Sequence, residues 1–139
     1  MTYAERAERI ARAAHEGQVD KAGRPYAEHP GRVAASVRGD DLLEAIAWLH
    51  DVVEDTDVTL DDLRAEFPEE IVEAVEALTR REGQDPADYY AAVRANPRAR
   101  LVKLADMADN SDPARLAYLD AATRARLEAK YAHGRRALG

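Results

Sequence analysis

The pair His50-Asp51 is the strongest candidate for chemistry in this sequence, because it lies within the most apolar segment of the chain. Removing an aspartate from water is costly unless a partner compensates its charge. Glu54 and Asp55 follow at a spacing of four, so one continuous helix would place the four groups on adjacent stripes. Carboxylates at a helix C-terminus oppose the helix dipole. The pattern therefore predicts a bound cation, and a divalent metal is the most economical choice.

A single helix rarely completes a metal site, so further ligands are expected elsewhere in the chain. Asp106 follows a mostly apolar run, and His29 lies where a loop enters a helix. Two imidazoles and two carboxylates suit manganese, iron, nickel or zinc better than calcium. The residues leave one alternative open, in which His50 and Asp51 satisfy each other inside a helical core without a metal.

The elements that must position these side chains are predicted to be helices, because alanine, leucine, glutamate and arginine dominate the chain. Strand signals are poor, and the segment 17–30 holds two glycines and two prolines, which predict a loop. We therefore expect an all-α, compact helical bundle, with residues 1–139 forming a single domain. The first predicted helix starts at Thr2, and the next two cover 26–37 and 42–53. A short helix starts at Thr59, and another runs to about Arg80 with Pro68 in its first turn. The remaining helices lie between Asp85 and Asn96, cover 101–108, and start at Asp112 and Asp120.

Composition excludes several classes of function. The chain has 139 residues, 46% of them hydrophobic, and 27 acidic against 20 basic side chains give a net charge of −7. An acidic surface disfavours a nucleic acid polymer as partner. The absence of cysteine excludes disulfides, thiol catalysis and cysteine-bound zinc. The longest apolar run, 45–49, is too short to span a membrane, and without a secretory signal we expect a cytoplasmic location.

Four motifs follow one another in order along the chain. The first motif runs from His15-Glu16-Gly17-Gln18 through Lys21, Gly23 and Pro25-Tyr26 to His29-Pro30. The second is His50-Asp51-Val52-Val53-Glu54-Asp55-Thr56, the third is Leu78-Thr79, and the fourth is Val102-Lys103-Leu104-Ala105-Asp106 with Asn110. Together these motifs resemble those of HD-domain hydrolases of the RelA/SpoT and small alarmone hydrolase type, and the match covers about residues 10 to 115 in the right order. A His-Asp pair alone would not be specific.

The resemblance implies a helical HD-type fold that holds one divalent ion, of the Mn²⁺ type. The implied metal ligands are His29, His50, Asp51 and Asp106. Glu54 and Asp55 would be the acidic pair that positions and polarises the attacking water. The implied reaction is hydrolysis of the 3′-diphosphate of guanosine tetra- or pentaphosphate, with release of pyrophosphate.

The resemblance is weaker in the residues that contact the nucleotide. Asp20 stands where the family has an arginine, and Asp112-Pro113 stands where a basic residue and a threonine are usual, whereas Lys21 is kept. We therefore expect a metal-dependent phosphohydrolase acting on a small phosphorylated substrate such as a nucleotide. Lys21 is expected to contact a distal phosphate, and Asn110 a sugar or phosphate oxygen. Lys103 is expected to extend from the core to the surface.

Two other classes stay open at this point. One is a non-catalytic HD module that binds metal and nucleotide without turnover. The other is a helical interaction protein with no metal.

Overall fold

The chain folds into ten helices, described here from a computed structural model that covers residues 1–139. They are α1 (Tyr3–Ala14), α2 (Glu28–Ser36), α3 (Asp41–Leu49), α4 (Val52–Asp55), α5 (Leu60–Arg64), α6 (Glu69–Leu78), α7 (Pro86–Ala95), α8 (Pro97–Asn110), α9 (Pro113–Leu116) and α10 (Ala121–Leu138). The only β pairing is one isolated antiparallel bridge between Val19 and Pro25. The prediction of an all-helical fold is therefore confirmed.

Side-chain caps set where most helices begin. Thr2 and Glu5 form the predicted capping box, in which each accepts a hydrogen bond of 3.0 Å from the other's backbone amide. Thr59 opens α5 in the same way. The other capping side chains belong to Asp40, Asp85, Asn96, Asp112 and Asp120. Local sequence thus sets where α3 and α8 begin, whereas α2 and α4 have no side-chain cap.

The hydrophobic core surrounds α3. This helix packs against α1, α2, α6 and α8, while α10 closes the bundle against α7 and α8. Ile46 and Leu49 on α3 are fully buried, and burial of each such side chain contributes about 1.5–3 kcal/mol. One cluster of buried apolar residues extends from Ala7 on α1 to Leu138 on α10. The polar residues at the C-terminal end of α3 are thereby held in the middle of the bundle.

The loop between α1 and α2 folds over this end of α3. Val19 pairs with Pro25 across the loop, and Gly23 adopts a φ of 81°, which favours glycine. The side-chain amide of Gln18 donates to the backbone carbonyl of Asp55 at 3.3 Å. The loop is therefore tied to α4, next to the predicted site.

The predicted continuous helix over 42–53, ending in Glu54 and Asp55, is wrong in one respect. α3 ends at Leu49 and α4 begins at Val52, with His50 and Asp51 between them. The ring Nδ1 of His50 donates to the carbonyl of Ala47 at 2.6 Å, and in an unbroken helix that carbonyl would accept from the amide of Asp51. The break turns two consecutive side chains toward one point, which an unbroken helix does not do.

Smaller differences concern helix starts. α8 begins at Pro97 rather than at residue 101, because Asn96 caps it and the proline occupies its first turn. Pro68 precedes α6 as its N-cap instead of lying in the first turn. α2 begins at Glu28, two residues later than predicted.

None of the ten helices combines the length and the apolar character needed to cross a bilayer.

Candidate functional site

Four side chains that are distant in sequence meet at the centre of the bundle. His29 comes from the first turn of α2, His50 and Asp51 from the break after α3, and Asp106 from α8. One potential ligand atom of each lies within 4.8 Å of all the others. We call these four residues the His-Asp cluster. The two histidines and Asp106 are buried, whereas Asp51 is partly exposed.

The distances within the cluster are those of a compact donor set. Nε2 of His29 lies 2.8 Å from Oδ1 of Asp106, and Nε2 of His50 lies 3.3 Å from the same oxygen. Oδ2 of Asp51 lies 3.1 Å from Nε2 of His50 and 4.0 Å from Nε2 of His29. Two ring nitrogens and two carboxylate oxygens therefore face a common point.

The hydrogen bonds on the far side of each ring test whether these residues fit a metal. Nδ1 of His50 must be protonated, because its partner is the carbonyl of Ala47. Both ring nitrogens of His29 face carboxylates, Nδ1 at 2.7 Å from Oδ2 of Asp109 and Nε2 at 2.8 Å from Oδ1 of Asp106. Each ring, if neutral, then directs a lone pair at a carboxylate, an arrangement that only a cation or added protons can stabilise. The donor set fits a divalent metal ion.

The charges of the metal-free cluster also require a compensating positive charge. Burial alone would lower the pKa of His50, but the charges of Asp51 and Asp106 raise it well above its usual value. Burial likewise opposes the rise in the pKa of His29, which hydrogen bonds to Asp106 and Asp109 cause. Burial would raise the pKa of Asp106, yet His50 and His29 hold it well below the usual value. Without a metal, protons on the imidazoles supply the positive charge.

Asp109 contacts the His-Asp cluster directly, and the sequence analysis missed it. Its Oδ2 accepts from His29, and its Oδ1 accepts from Nε of Arg32 at 2.8 Å. Arg115 donates to Oδ2 of Asp109 at 2.6 Å. Burial would raise the pKa of Asp109, but the hydrogen bonds from His29 and Arg32 lower it to about 2. Its position three residues after Asp106 on α8, hence on the same helix face, is the signal that could have found it.

Tyr26 is a second residue whose role was not predicted. Its hydroxyl donates to Oδ2 of Asp51 at 2.5 Å. Burial and the charge of Asp51 raise the pKa of Tyr26 far above its usual value, so the phenol remains a donor. The loop before α2 thus fixes the orientation of one carboxylate of the cluster.

The predicted acidic pair lies in the same cavity as the cluster. Glu54 and Asp55 line a cavity of about 250 Å³, which we call the inner chamber, together with His50, Asp51 and Asp106. Oε1 of Glu54 accepts from the backbone amide of Arg80 at 2.6 Å. Burial and the nearby charges of Asp51 and Glu54 raise the pKa of Asp55. The sequence analysis expected Glu54 and Asp55 beside His50 and Asp51 on one continuous helix. The helix is broken, yet the four side chains still line the same cavity.

A second cavity of about 460 Å³, the outer chamber, adjoins the first and shares Tyr26, Asn110 and Tyr131 with it. Lys21 lines the outer chamber, together with the exposed side chains of Val19 and Tyr118.

Asn110 lies where the two chambers meet. Its side-chain amide donates to Oδ1 of Asp106 at 3.0 Å. The structure therefore gives Asn110 a contact with the cluster, in addition to the substrate contact that was predicted for it.

Asp20 forms contacts within its own loop and with Arg115, and Lys103 differs from the sequence expectation. Oδ1 of Asp20 accepts from the amides of Ala22 and Arg24, and its Oδ2 lies 3.7 Å from Arg115. The carboxylate of Asp20, which stands where the family has an arginine, thus accepts hydrogen bonds within the loop. Lys103 does not extend to the surface: its Nζ lies 3.1 Å from Oδ2 of Asp106, in the inner chamber.

Three curated relatives of this chain are much longer than the chain itself. A guanosine-3′,5′-bis(diphosphate) 3′-pyrophosphohydrolase of Vibrio cholerae is 40% identical over 116 residues, which cover 73% of this chain and 16% of that protein. A protein of the same name from Aquifex aeolicus is 34% identical, with coverages of 76% and 17%. The bifunctional (p)ppGpp synthase/hydrolase SpoT of Escherichia coli is 36% identical, with coverages of 73% and 16%. The chain thus spans about a sixth of these relatives.

A solved structure shares the fold. It comes from work describing a metazoan ortholog of SpoT that hydrolyzes ppGpp, and it matches with a TM-score of 0.82 and 23% identity. The match covers 99% of this chain and 86% of that one. The family model described as HD domain matches residues 7–126. With most of its length matched by that model and by these relatives, the chain belongs to the HD domain family.

Proposed function

We propose that this protein is a Mn²⁺-dependent phosphohydrolase that removes the 3′-diphosphate of guanosine 3′,5′-bis(diphosphate) as pyrophosphate. The observation that carries the proposal is the His-Asp cluster, whose two Nε2 lone pairs and two carboxylates face one point beside Glu54 and Asp55. The names of the relatives support the substrate class. We propose residues 1–139 as one catalytic unit.

The cluster residues would hold the ion, with His29 and His50 offering Nε2 and with Asp51 and Asp106 offering carboxylate oxygens. When bound, the ion would supply a Lewis acid that activates water and neutralises charge on phosphoryl oxygens. Tyr26 and Asn110 keep the two carboxylates oriented through their hydrogen bonds.

Glu54 and Asp55 are proposed to handle the attacking water. The bond from the Arg80 amide fixes one oxygen of Glu54 and leaves the other to orient the water. The raised pKa of Asp55 makes this carboxylate a better proton acceptor than a carboxylate with the ordinary pKa of aspartate. The water oxygen bonds to phosphorus, the bond from phosphorus to the 3′ oxygen breaks, and that oxygen takes up the proton that Asp55 removed.

The nucleoside is proposed to lie in the outer chamber. Its volume of about 460 Å³ and its mixed apolar and charged lining suit a nucleoside with attached phosphates. Lys21 is placed to meet a phosphate, and Asn110 to meet a sugar or phosphate oxygen at the junction with the inner chamber.

A hydrolysis screen tests the proposal. Protein loaded with Mn²⁺ is incubated side by side with guanosine 3′,5′-bis(diphosphate), other nucleoside phosphates and phosphorylated dinucleotide cofactors. We expect pyrophosphate release from the first compound and none without the metal. Release of phosphate from a different compound would correct the substrate. Metal and nucleotide binding without any turnover would instead establish a non-catalytic HD module.

A further inference from the structure

Three basic side chains line the inner chamber together with the acidic pair. They are Arg80, after the end of α6, Lys103 on α8 and Lys130 on α10. In a protein with a net charge of −7, three cations around one small cavity need an explanation.

Two of these cations have no acidic partner. The arginines and lysines that form ion pairs are Arg12, Arg24, Arg32, Arg64, Lys103 and Arg115. Arg80 and Lys130 are in none of these pairs. Their charges are therefore available to an anion that enters the chamber.

Arg80 is held in place from two sides. Its backbone amide donates to Glu54, and its guanidinium lies 4.6 Å from the centre of the Tyr89 ring. Nζ of Lys103 lies 5.4 Å from the centre of the same ring and is paired with Asp106. Tyr89 thus links Arg80 to the cation that touches the His-Asp cluster.

Lys130 reaches the chamber from the last helix, with Nζ 5.7 Å from the centre of the Tyr131 ring. Burial lowers the pKa of Lys130, and the neighbouring charges of Arg80, Lys103 and Lys21 lower it further. Like charges that converge without acidic partners repel one another, and a bound anion would relieve this repulsion.

We propose that Arg80 and Lys130 form a subsite for the terminal phosphate of a diphosphate group whose inner phosphate lies at the His-Asp cluster. This inference rests on the proposed function and deepens it. A single phosphate at the cluster would lie beside the metal site and Lys103 and would leave Arg80 and Lys130 without an anion. The two unpaired cations match the additional charge of a second phosphate, so they select a diphosphate over a monophosphate.

Titration with inorganic pyrophosphate and inorganic phosphate tests the subsite directly. Both ligands are titrated calorimetrically into protein kept loaded by excess Mn²⁺, for the wild type and for Arg80→Gln and Lys130→Gln. Arg81→Gln and Arg126→Gln are matched controls, because these exposed arginines neighbour the test positions in sequence but do not line the chamber. Melting temperature and Mn²⁺ content verify that each variant is folded and loaded.

We expect pyrophosphate to bind the wild type at least about tenfold more tightly than phosphate. Each test variant should lose about tenfold in pyrophosphate affinity and little in phosphate affinity, with both controls unchanged. Test variants that bind pyrophosphate like the controls would overturn the subsite, even if the hydrolase screen succeeds. Conversely, if no nucleotide is hydrolysed but pyrophosphate binding still depends on Arg80 and Lys130, the subsite stands and the proposed reaction fails.

Discussion

Replacement of Asp109 by asparagine is expected to weaken metal binding although Asp109 is not a proposed ligand. Its carboxylate accepts the Nδ1 proton of His29 and thereby keeps Nε2 free for the metal. The substitution keeps the size of the side chain and one accepting oxygen, but it removes the negative charge that makes the imidazole a stronger donor. It therefore isolates the charge from the shape.

The magnitude follows from the geometry of this contact. The hydrogen bond is 2.7 Å long, and the His29 side chain is only 4% exposed. A hydrogen bond to a charged group contributes about 1.5–3 kcal/mol, which corresponds to a factor of about 10 to 150 in affinity. Because the asparagine oxygen can still accept, we expect a loss of about 10- to 30-fold. Arg32 and Arg115 lose an ion-pair partner, and each of these partly exposed pairs contributes about 1 kcal/mol or less to stability.

Calorimetric titration of metal-free protein with Mn²⁺ measures this effect. Asp88→Asn is the matched control, because it makes the same chemical change on the exposed face of α7. Asp109→Asn should remain folded, with a dissociation constant for Mn²⁺ raised about 10- to 30-fold. If both variants bind Mn²⁺ like the wild type, the reasoning about the hydrogen-bonded imidazole is refuted.

Three further predictions concern catalysis, acidity and substrate binding. Glu54→Gln should retain Mn²⁺ but lose about 10²- to 10⁴-fold in kcat, and loss of the metal in this variant would make Glu54 a ligand instead. The pKa values of His29 and His50 are raised in the metal-free fold, so their protonation stabilises that fold below about pH 6.5 and the contribution is lost as the pH rises through the raised values. Saturating Mn²⁺ should therefore raise the melting temperature more at pH 8 than at pH 6, and an equal increase at both would contradict the protonated cluster. Lys21→Ala should raise KM about tenfold with kcat nearly unchanged, and a loss confined to kcat would remove Lys21 from substrate binding.

The sequence was informative where a residue type strongly favours one local structure or environment. The capping box of Thr2 and Glu5 and the N-caps at Asp85, Asp112 and Asp120 were visible because capping depends on neighbours within the same turn. Asp51 could likewise be recognised as a candidate because it lies inside an apolar segment, and the cost of burying a charge does not depend on the details of the fold.

The break after α3 could not be predicted in this way. Residues 42–53 contain neither glycine nor proline, and the interruption arises when the His50 ring takes the Ala47 carbonyl. That contact depends on the position of the imidazole in the assembled cluster. Local propensity carries no information about it.

Contacts between elements that are distant in sequence were the other feature that local sequence patterns did not predict. Asp109 could have been found as a neighbour of Asp106 on α8, but its partner His29 is 80 residues away. The residue pattern offered His29 and Asp106 as candidate ligands, and the family motifs supported both assignments. Arg80 and Lys130 belong to no motif, and only the packing of α10 against α7 and α8 brings Lys130 to the chamber.

The metal stoichiometry of the purified protein tests the central claim most directly. Wild-type protein and Asp51→Ala are dialysed against Mn²⁺, freed of unbound ion, and measured by elemental analysis, with circular dichroism to verify helical content. We predict one manganese per wild-type chain and none in Asp51→Ala, with the helical content of both retained. A folded wild-type protein without bound metal, or an Asp51→Ala variant that keeps its full complement, would contradict the account.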